Sequence, residues 1–405
     1  MITCGIDWAE AHHDVALVDA DGRVLARRRI GADVGGYTEL LELIADHGGS
    51  PQETAVAIET DKNLLVTALA GAGFTVYPIN PRALARYRER HGQSGKKSDG
   101  LDAVLLANVL RTDAHAHRPL PEVSEQALAV KALARQHQES IWAMNQTISG
   151  LRSVLLEFYP QAVQAFPKLK HHAATAVLAA APTPAAGAAL TRRRLQSLLR
   201  GAGRRNDAGL VDQILADLRT PALRQPPAVE SALGITVTGL VTIVITMREA
   251  VIVLEAELQR QFSTHPLSPV LRSAPGLGPV LAARVLAEVG DDPHRFETAR
   301  GVRAFAGTAP VTRASGRSRY VKARRVRNKR LADACHWWGF SALSWSPGAR
   351  EHYDRRRAAG DHHNAALRNV ANKMIGRLWW CMIHNQPWDE TTAWPTQQTA
   401  GVLAA

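Results

Sequence analysis

Short apolar runs, each closing on an acid or a turn residue, fill the first eighty positions. Ile2 to Asp7 is a strand ending on an acid, Asp14 to Asp19 a second, Asp21-Gly22 a turn signal and Val24 to Ile30 the return. A helical pattern follows from Tyr37 to Asp46, then a strand from Thr54 to Glu59 and a helix from Leu64 to Ala72. Next come a strand from Phe74 to Ile79 and a basic helix opened by Pro81, with Arg82, Arg86, Arg88 and Arg90. Three strands, a helix and then strand–helix alternation predict an α/β domain over 1–115.

From Ser124 to Phe158 the period changes to that of one long helix, with Ile141, Met144, Ile148, Leu151, Leu155 and Phe158 in steps of three and four. A second seam runs through Leu240, Val244, Met247, Val251, Leu254 and Leu258. Two such seams predict an antiparallel pair, a dimerising coiled coil, or both, within a helical segment over 124–265. Between the seams, prolines punctuate an alanine-rich run, and Leu190 to Arg200 reads as a basic helix. Its Arg192, Arg193 and Arg194 suit either phosphate or solvent. Pro266 opens a mostly helical domain over 266–388, and a polar tail over 389–405 is expected to be disordered. The fold class is therefore α/β plus all-α.

Composition narrows the setting. Three well-separated cysteines give neither a disulfide framework nor a zinc pattern. No secretion signal or membrane span is read, so the cytoplasm, at the nucleoid, is the expected location. The net charge of +12 is unevenly spread: residues 266–385 hold 21 Lys and Arg against 8 Asp and Glu, whereas 1–265 is nearly balanced. A positive surface concentrated in one third of the chain points to nucleic acid.

Candidate chemistry falls in two places. Asp7 and Glu59 end strands, and Asp99 and Asp102 sit three apart at a helix start, on one face and about a turn apart. Two strand ends and one helix can gather four carboxylates, hard ligands suited to two Mg²⁺ ions in phosphoryl transfer. The acid positions favour a ribonuclease-H type for the first domain. The plainer alternatives are a helix capped by Ser98, a strand terminator at Asp7 and a surface acid at Glu59. Lys96 and Lys97 stand just before the helix. In the basic third, Gly276-Leu-Gly278 feeds an apolar helix, like half of a helix–hairpin–helix element offering backbone N–H groups to a DNA phosphate. Ser315 lies in a turn among Arg313, Arg317, Arg319, Lys322, Arg324, Arg325, Arg327 and Lys329. It reads either as a nucleophile activated by neighbouring cations or as a hairpin turn with DNA-binding flanks. Trp337 and Trp338 fit core packing better than base stacking.

In combination, Ile-Asp7, Ile-Glu59-Thr, Lys-Ser-Asp99-x-x-Asp102-Ala, a heptad helix, Pro-Gly276-Leu-Gly-Pro and Gly307-x-x-Pro310 with Ser315-Gly316 resemble the transposases of the insertion-sequence one-ten family, relatives of Piv-type DNA invertases. The resemblance covers nearly the whole chain and leans to the actinobacterial branch. It implies a RuvC-like nuclease domain with Asp7, Glu59, Asp99 and Asp102 as metal ligands, and Ser315 as nucleophile. It also implies a coiled coil joining protomers, dimer or tetramer, so that one chain's serine meets another's carboxylates. Donor and target double-stranded DNA would be the substrates, cut and rejoined through a serine–DNA link, with a structured non-coding guide RNA as partner. The chain departs from the pattern at Glu10, where a lysine is expected, and at Asp61-Lys62-Asn63, where a small residue and glycine are. The competing expectations are a Mg²⁺-dependent Holliday-junction-type endonuclease, with water as nucleophile, and a catalytically decayed DNA-binding protein.

Overall fold

The computed structural model describes residues 2–91, 99–204, 208–316 and 318–395; of Arg90, His91, Asp99 and Arg319 it describes the backbone alone. The chain divides into two compact units, 1–122 and 123–405.

The first unit runs β1 (Thr3–Trp8), β2 (His12–Val18), β3 (Val24–Gly31), α1 (Val34–Asp46), β4 (Ala55–Ile58), α2 (Leu64–Gly71), β5 (Val76–Pro78), α3 (Pro81–His91) and α4 (Asp99–Asp113). The expected elements are present, with ends moved by a few residues. The five strands form one sheet in the order β3-β2-β1-β4-β5. β1 pairs antiparallel with β2 and parallel with β4, so the short turn at Asp19–Arg23 and the crossover through α1 are both satisfied. Cys4, Ile6, Val15, Leu17, Val56 and Ile58 form the core with Leu40, Ile44 and Leu69 from α1 and α2. On α4, Ala103, Leu106, Ala107 and Leu110 are buried.

α4 meets β1 at Gly5. A side chain there would lie 2.0 Å from the Ala103 carbonyl oxygen and 2.5 Å from the Ala107 nitrogen, so only glycine permits this approach. The far end of α4 is fixed by Arg111, whose guanidinium reaches the Ala20 carbonyl and lies against Gly22 in the β2–β3 turn. That turn marks the Thr3 end of β1, so α4 runs antiparallel to β1 and starts at its Asp7 end.

The second unit begins with α5 (Glu125–Phe158), capped by Ser124, and continues through α6 (Pro160–Ala165), α7 (His172–Ala180), α8 (Pro184–Ala188), α9 (Arg192–Gly201), α10 (Ala208–Arg219) and α11 (Pro227–Ser263). α12 (Ser268–Arg272), α13 (Pro279–Val289), α14 (Ala299–Phe305), the hairpin β6 (Val311–Ser315) and β7 (Ser318–Lys322), α15 (Lys329–Ala342), α16 (Pro347–Ala358), α17 (His363–Ile383) and α18 (Glu390–Ala393) complete it. α5 and α11 lie antiparallel: Gln126 bonds Thr264, His137 faces Glu255 and Thr147 touches Met247. At one end Val130, Ala134, Leu258 and Phe262 join a core built from α13, α15 and α17 around Trp338 and Leu378. At the other, Leu151, Leu155, Val237 and Val241 join a second core made by α6 to α10. In between, Ile141, Met144 and Ile148 are half-buried, and Ile243, Ile252 and Val253 are exposed.

Three expectations change here. α11 contains an 18-residue window of mean hydropathy 2.0, long and apolar enough to cross a membrane by composition, although no such segment was read from the sequence. Its threonines interrupt the apolar run without making it polar. Its inward seam matches the predicted one in half its positions: Val244, Val251 and Leu258 are buried as expected, Val237 and Val241 join them, and Leu240, Met247 and Leu254 are half-buried beside them. Finally, the start of the expected disordered tail is structured. Asp389 caps α18 and Trp394 packs on His352 and Gly348, because an aromatic ring and a capping acid give the segment something to bury and bond. Residues 396–405 lie outside the described residues.

Candidate nuclease centre and serine hairpin

The register of β1 on β4 pairs Ile6 with Ile58, so Asp7 and Glu59, each the next residue, stand side by side at the carboxyl ends of adjacent parallel strands. Neighbouring strands are about 4.8 Å apart. Both residues are half-buried. Asp7 shares a sheet face with Gly5, two residues back, which is the face α4 covers. Asp99 opens α4, and Asp102 follows one residue before Ala103, the point of contact with Gly5. Three of the four expected acids are thus described at one end of the sheet, and the backbone of the fourth opens the same helix.

Asp102 is buried, and its Oδ1 accepts from Arg88 Nη2 at 2.7 Å and Nε at 3.1 Å. Among the described residues, no group of three His, Cys, Asp or Glu side chains stands close enough to hold a metal ion. The donor set nevertheless suits a hard divalent cation, since all its members are carboxylates. Arg88 holds positive charge against Asp102 here. Its role was not foreseen, although the arginine run after Pro81 was the available signal. The Asp61-Lys62-Asn63 departure serves the fold: Thr60 closes a turn with Lys62, and Asn63 Oδ1 caps α2 by accepting from Val66 N at 2.7 Å. Lys96 and Lys97 fall outside the described residues.

In the second unit, the β6–β7 hairpin pairs Ser315 with Ser318 and places Gly316, at φ +54°, in its turn. Ser318 Oγ donates to the Ser315 carbonyl at 3.0 Å. Residues two apart or directly paired share a face, so exposed Ser315 stands on the face of Arg313, Tyr320 and Lys322. Lys322 Nζ lies 4.8 Å from the Tyr320 ring centre. The hairpin is anchored at its base. Asn328 N donates to the Phe305 carbonyl, and Asn328 Nδ2 donates to Glu288, which also holds a paired bond from Arg135. Gly307, at φ +71°, lies under Arg327, whose chain would meet any side chain there at 2.1 Å.

Beyond the hairpin, Arg324, Arg325, Arg327 and Lys329 line a basic pocket of about 700 Å³ with Trp142 and His336. Arg317, and the side chain of Arg319, lie outside the described residues. The glycine turn has a structural explanation. Gly276 adopts φ +73° and would strike Ala342 backbone if it carried a side chain, while Trp338 Nε1 donates to the Pro275 carbonyl at 3.0 Å. Gly278 is exposed at the start of α13 with no side-chain cap. Trp338 is fully buried and Trp337 half-exposed.

Residues 4–160 match the DEDD-type transposase profile of IS110, and residues 268–354 match the transposase profile of the IS116/IS110/IS902 family. The chain is 47% identical over 98% of both lengths to the mini-circle putative transposase for IS117 of Streptomyces coelicolor. It is 32% identical to the uncharacterized 43.6 kDa protein of insertion element IS110 from the same species, over 78% of this chain and 77% of that one. It is 27% identical over 98% of both lengths to the uncharacterized 44.8 kDa protein of IS116 from Streptomyces clavuligerus. The chain belongs to the IS110 family of transposases.

Proposed function

We propose that this transposase breaks and rejoins DNA strands by a serine nucleophile working with a carboxylate-bound divalent cation. The observation that carries the reading is the β1–β4 register, which sets Asp7 beside Glu59 at the strand ends where α4 also begins. Asp7, Glu59, Asp99 and Asp102 would hold Mg²⁺, which when bound supplies charge stabilisation for phosphoryl transfer. The sheet order and these acids support a RuvC-like, ribonuclease-H-type nuclease domain.

Ser315 Oγ forms a bond to phosphorus as one bridging P–O bond breaks. The serine proton passes to a base, and the departing strand oxygen gains a proton. Arg313 and Lys322, on the serine's face, balance the extra negative charge on the phosphoryl oxygens. Reversal of the step with a new strand end reseals the DNA and frees the serine. The half-exposed middle of the α5–α11 pair suits association with another copy, so that serine and carboxylates come from different protomers. A structured guide RNA that pairs with donor and target DNA is part of this reading.

Ser315→Ala and Asp102→Ala are expected to abolish excision and integration of a marked element. Ser315→Ala should also abolish a denaturant-stable protein–DNA adduct. Full activity in either variant overturns the proposed site, and activity without any adduct favours a water-using endonuclease instead.

A further inference from the structure

The reverse face of the same sheet end holds a second recognition feature. Strand alternation turns Trp8 away from the face of Asp7, although the two are neighbours in sequence. Trp8 pairs with His13 across β1 and β2. With Tyr37, Asn63, Leu64 and Leu65 they line a pocket of about 380 Å³. That volume lies within the range of sites for small planar ligands.

Its chemistry selects the ligand class. Among the described residues no lysine or arginine lines it, and its one carboxylate, Asp33, caps α1 by accepting from Gly36 N, so it is poorly suited to phosphate. Trp8 is 46% exposed, Val34 80% and Leu64 89%, an apolar rim that a soluble surface ordinarily avoids. Among the described residues, two polar atoms in the walls are buried with no hydrogen-bond partner: His13 Nδ1 and Asn63 Nδ2. His13 is 5% exposed, and burial lowers its pKa, keeping the ring neutral with one donor and one acceptor nitrogen. Asn63 has already used its oxygen to cap α2, which leaves its amide N–H groups to give. Buried polar atoms of this kind are normally satisfied by something. An apolar slot with a flat indole at its mouth and hydrogen-bonding groups in its walls fits an uncharged aromatic ring with polar edges.

We propose that this pocket takes one unpaired nucleobase of the strand presented to the Asp7 end of the sheet, with Trp8 stacking on it and His13 and Asn63 bonding its edge. The proposal rests on the nuclease reading of that end. It adds a base-recognition site to the basic groups expected to meet phosphate, and an exposed base of DNA or of RNA presents the same chemistry.

The test is a binding cycle that requires no chemistry. Full-length protein in EDTA is titrated with fluorescent single strands of about twelve nucleotides, one set DNA and one RNA, each with an abasic site moved along it. At one position, removing the base should weaken binding to the wild type about ten-fold, the scale of a lost base–aromatic stack. In Trp8→Ala the same removal should cost less than two-fold, because the partner is already gone. The polymer that shows this loss of additivity identifies the strand. Leu64→Ser, at a residue that packs on almost nothing, should give a smaller effect at the same position and covers the case of a Trp8 variant that fails to fold. Costs that add at every position in both polymers, or no costly position in the wild type, overturn the proposal. Failure of the nuclease reading shows separately, as Asp7→Asn retaining strand exchange.

Discussion

Gly5→Ala is the sharpest probe of how the carboxylates are held together. The added methyl would sit 2.0 Å from the Ala103 carbonyl oxygen and 2.5 Å from the Ala107 nitrogen, both backbone atoms that no rotamer change can move. Restoring an ordinary contact of 3.4 Å from 2.0 Å parts β1 and α4 by about 1.4 Å. Overpacking of this kind costs roughly 1–3 kcal/mol. The functional cost is larger, because a misplacement of about 1 Å between reacting groups lowers a rate on the order of 100-fold. Urea unfolding should show the modest loss, and an excision assay normalised to folded protein should show the large one. Gly49→Ala is the control. Its methyl would meet Thr54 Oγ1 at 2.6 Å and Ile44 Cγ2 at 2.7 Å, at the opposite end of β4 from Glu59. It should destabilise on a similar scale while sparing excision per folded molecule. Gly5→Ala with wild-type stability and wild-type excision refutes the reasoning.

Other outcomes follow from single contacts. Arg88→Gln leaves the buried Asp102 without its cation, so Tm in EDTA should fall and the rise in Tm on adding Mg²⁺ should exceed that of the wild type. Trp338→Ala, at a fully buried ring bonded to Pro275, should cost about 3–5 kcal/mol in denaturant unfolding. His352 has its pKa pushed down to about 4, first by burial and then by Lys373, Arg355 and Arg356. The unfolded chain therefore takes up that proton first. The contribution of His352 is complete above pH 6.5 and is lost as pH falls toward 4, by roughly 1–3 kcal/mol after screening. His352→Gln should flatten the decline in stability over that interval, as measured by unfolding at stepped pH.

The strands and the helix at Asp99 were legible because each carries a local pattern: period two, a turn dipeptide, or an apolar run after an acid. Asp7 and Glu59 were readable as a pair because both close such runs, and register then follows from the hydrophobic faces. The helix seam of α11 was legible only in kind. Arg248 and Glu255 sit at inward positions, where Arg248 reaches the Lys170 carbonyl and Thr175, and Glu255 faces His137. An apolar count skips such residues, keeps Val244, Val251 and Leu258, and fills the rest of the seam from Leu240, Met247 and Leu254 beside it. Gly5 carried no visible signal, since its reason is a helix nearly a hundred residues away. The same holds for Gly276, which reads as a phosphate loop until Ala342 is seen against it. Trp8 and His13 fell just outside the strands expected over Ile2–Asp7 and Asp14–Asp19, and a pocket is a property of the assembled sheet.

The α5–α11 pair has a consequence for how such proteins vary in length. Its 34 and 37 residues make each helix about 50 Å long at 1.5 Å per residue. Its ends are embedded in two separate cores, while its centre meets the rest of the unit through a few side chains such as Arg248 and Trp142. The pair behaves as a ruler graduated in near-whole helical turns. Adding or removing about seven residues at the centre of both helices would shift one core from the other by about 10 Å with little rotation, whereas a count far from a whole number of turns would also turn it. Length change along this element is therefore quantised, and the distance across which the serine-bearing core is held can be reset without touching a residue of either core.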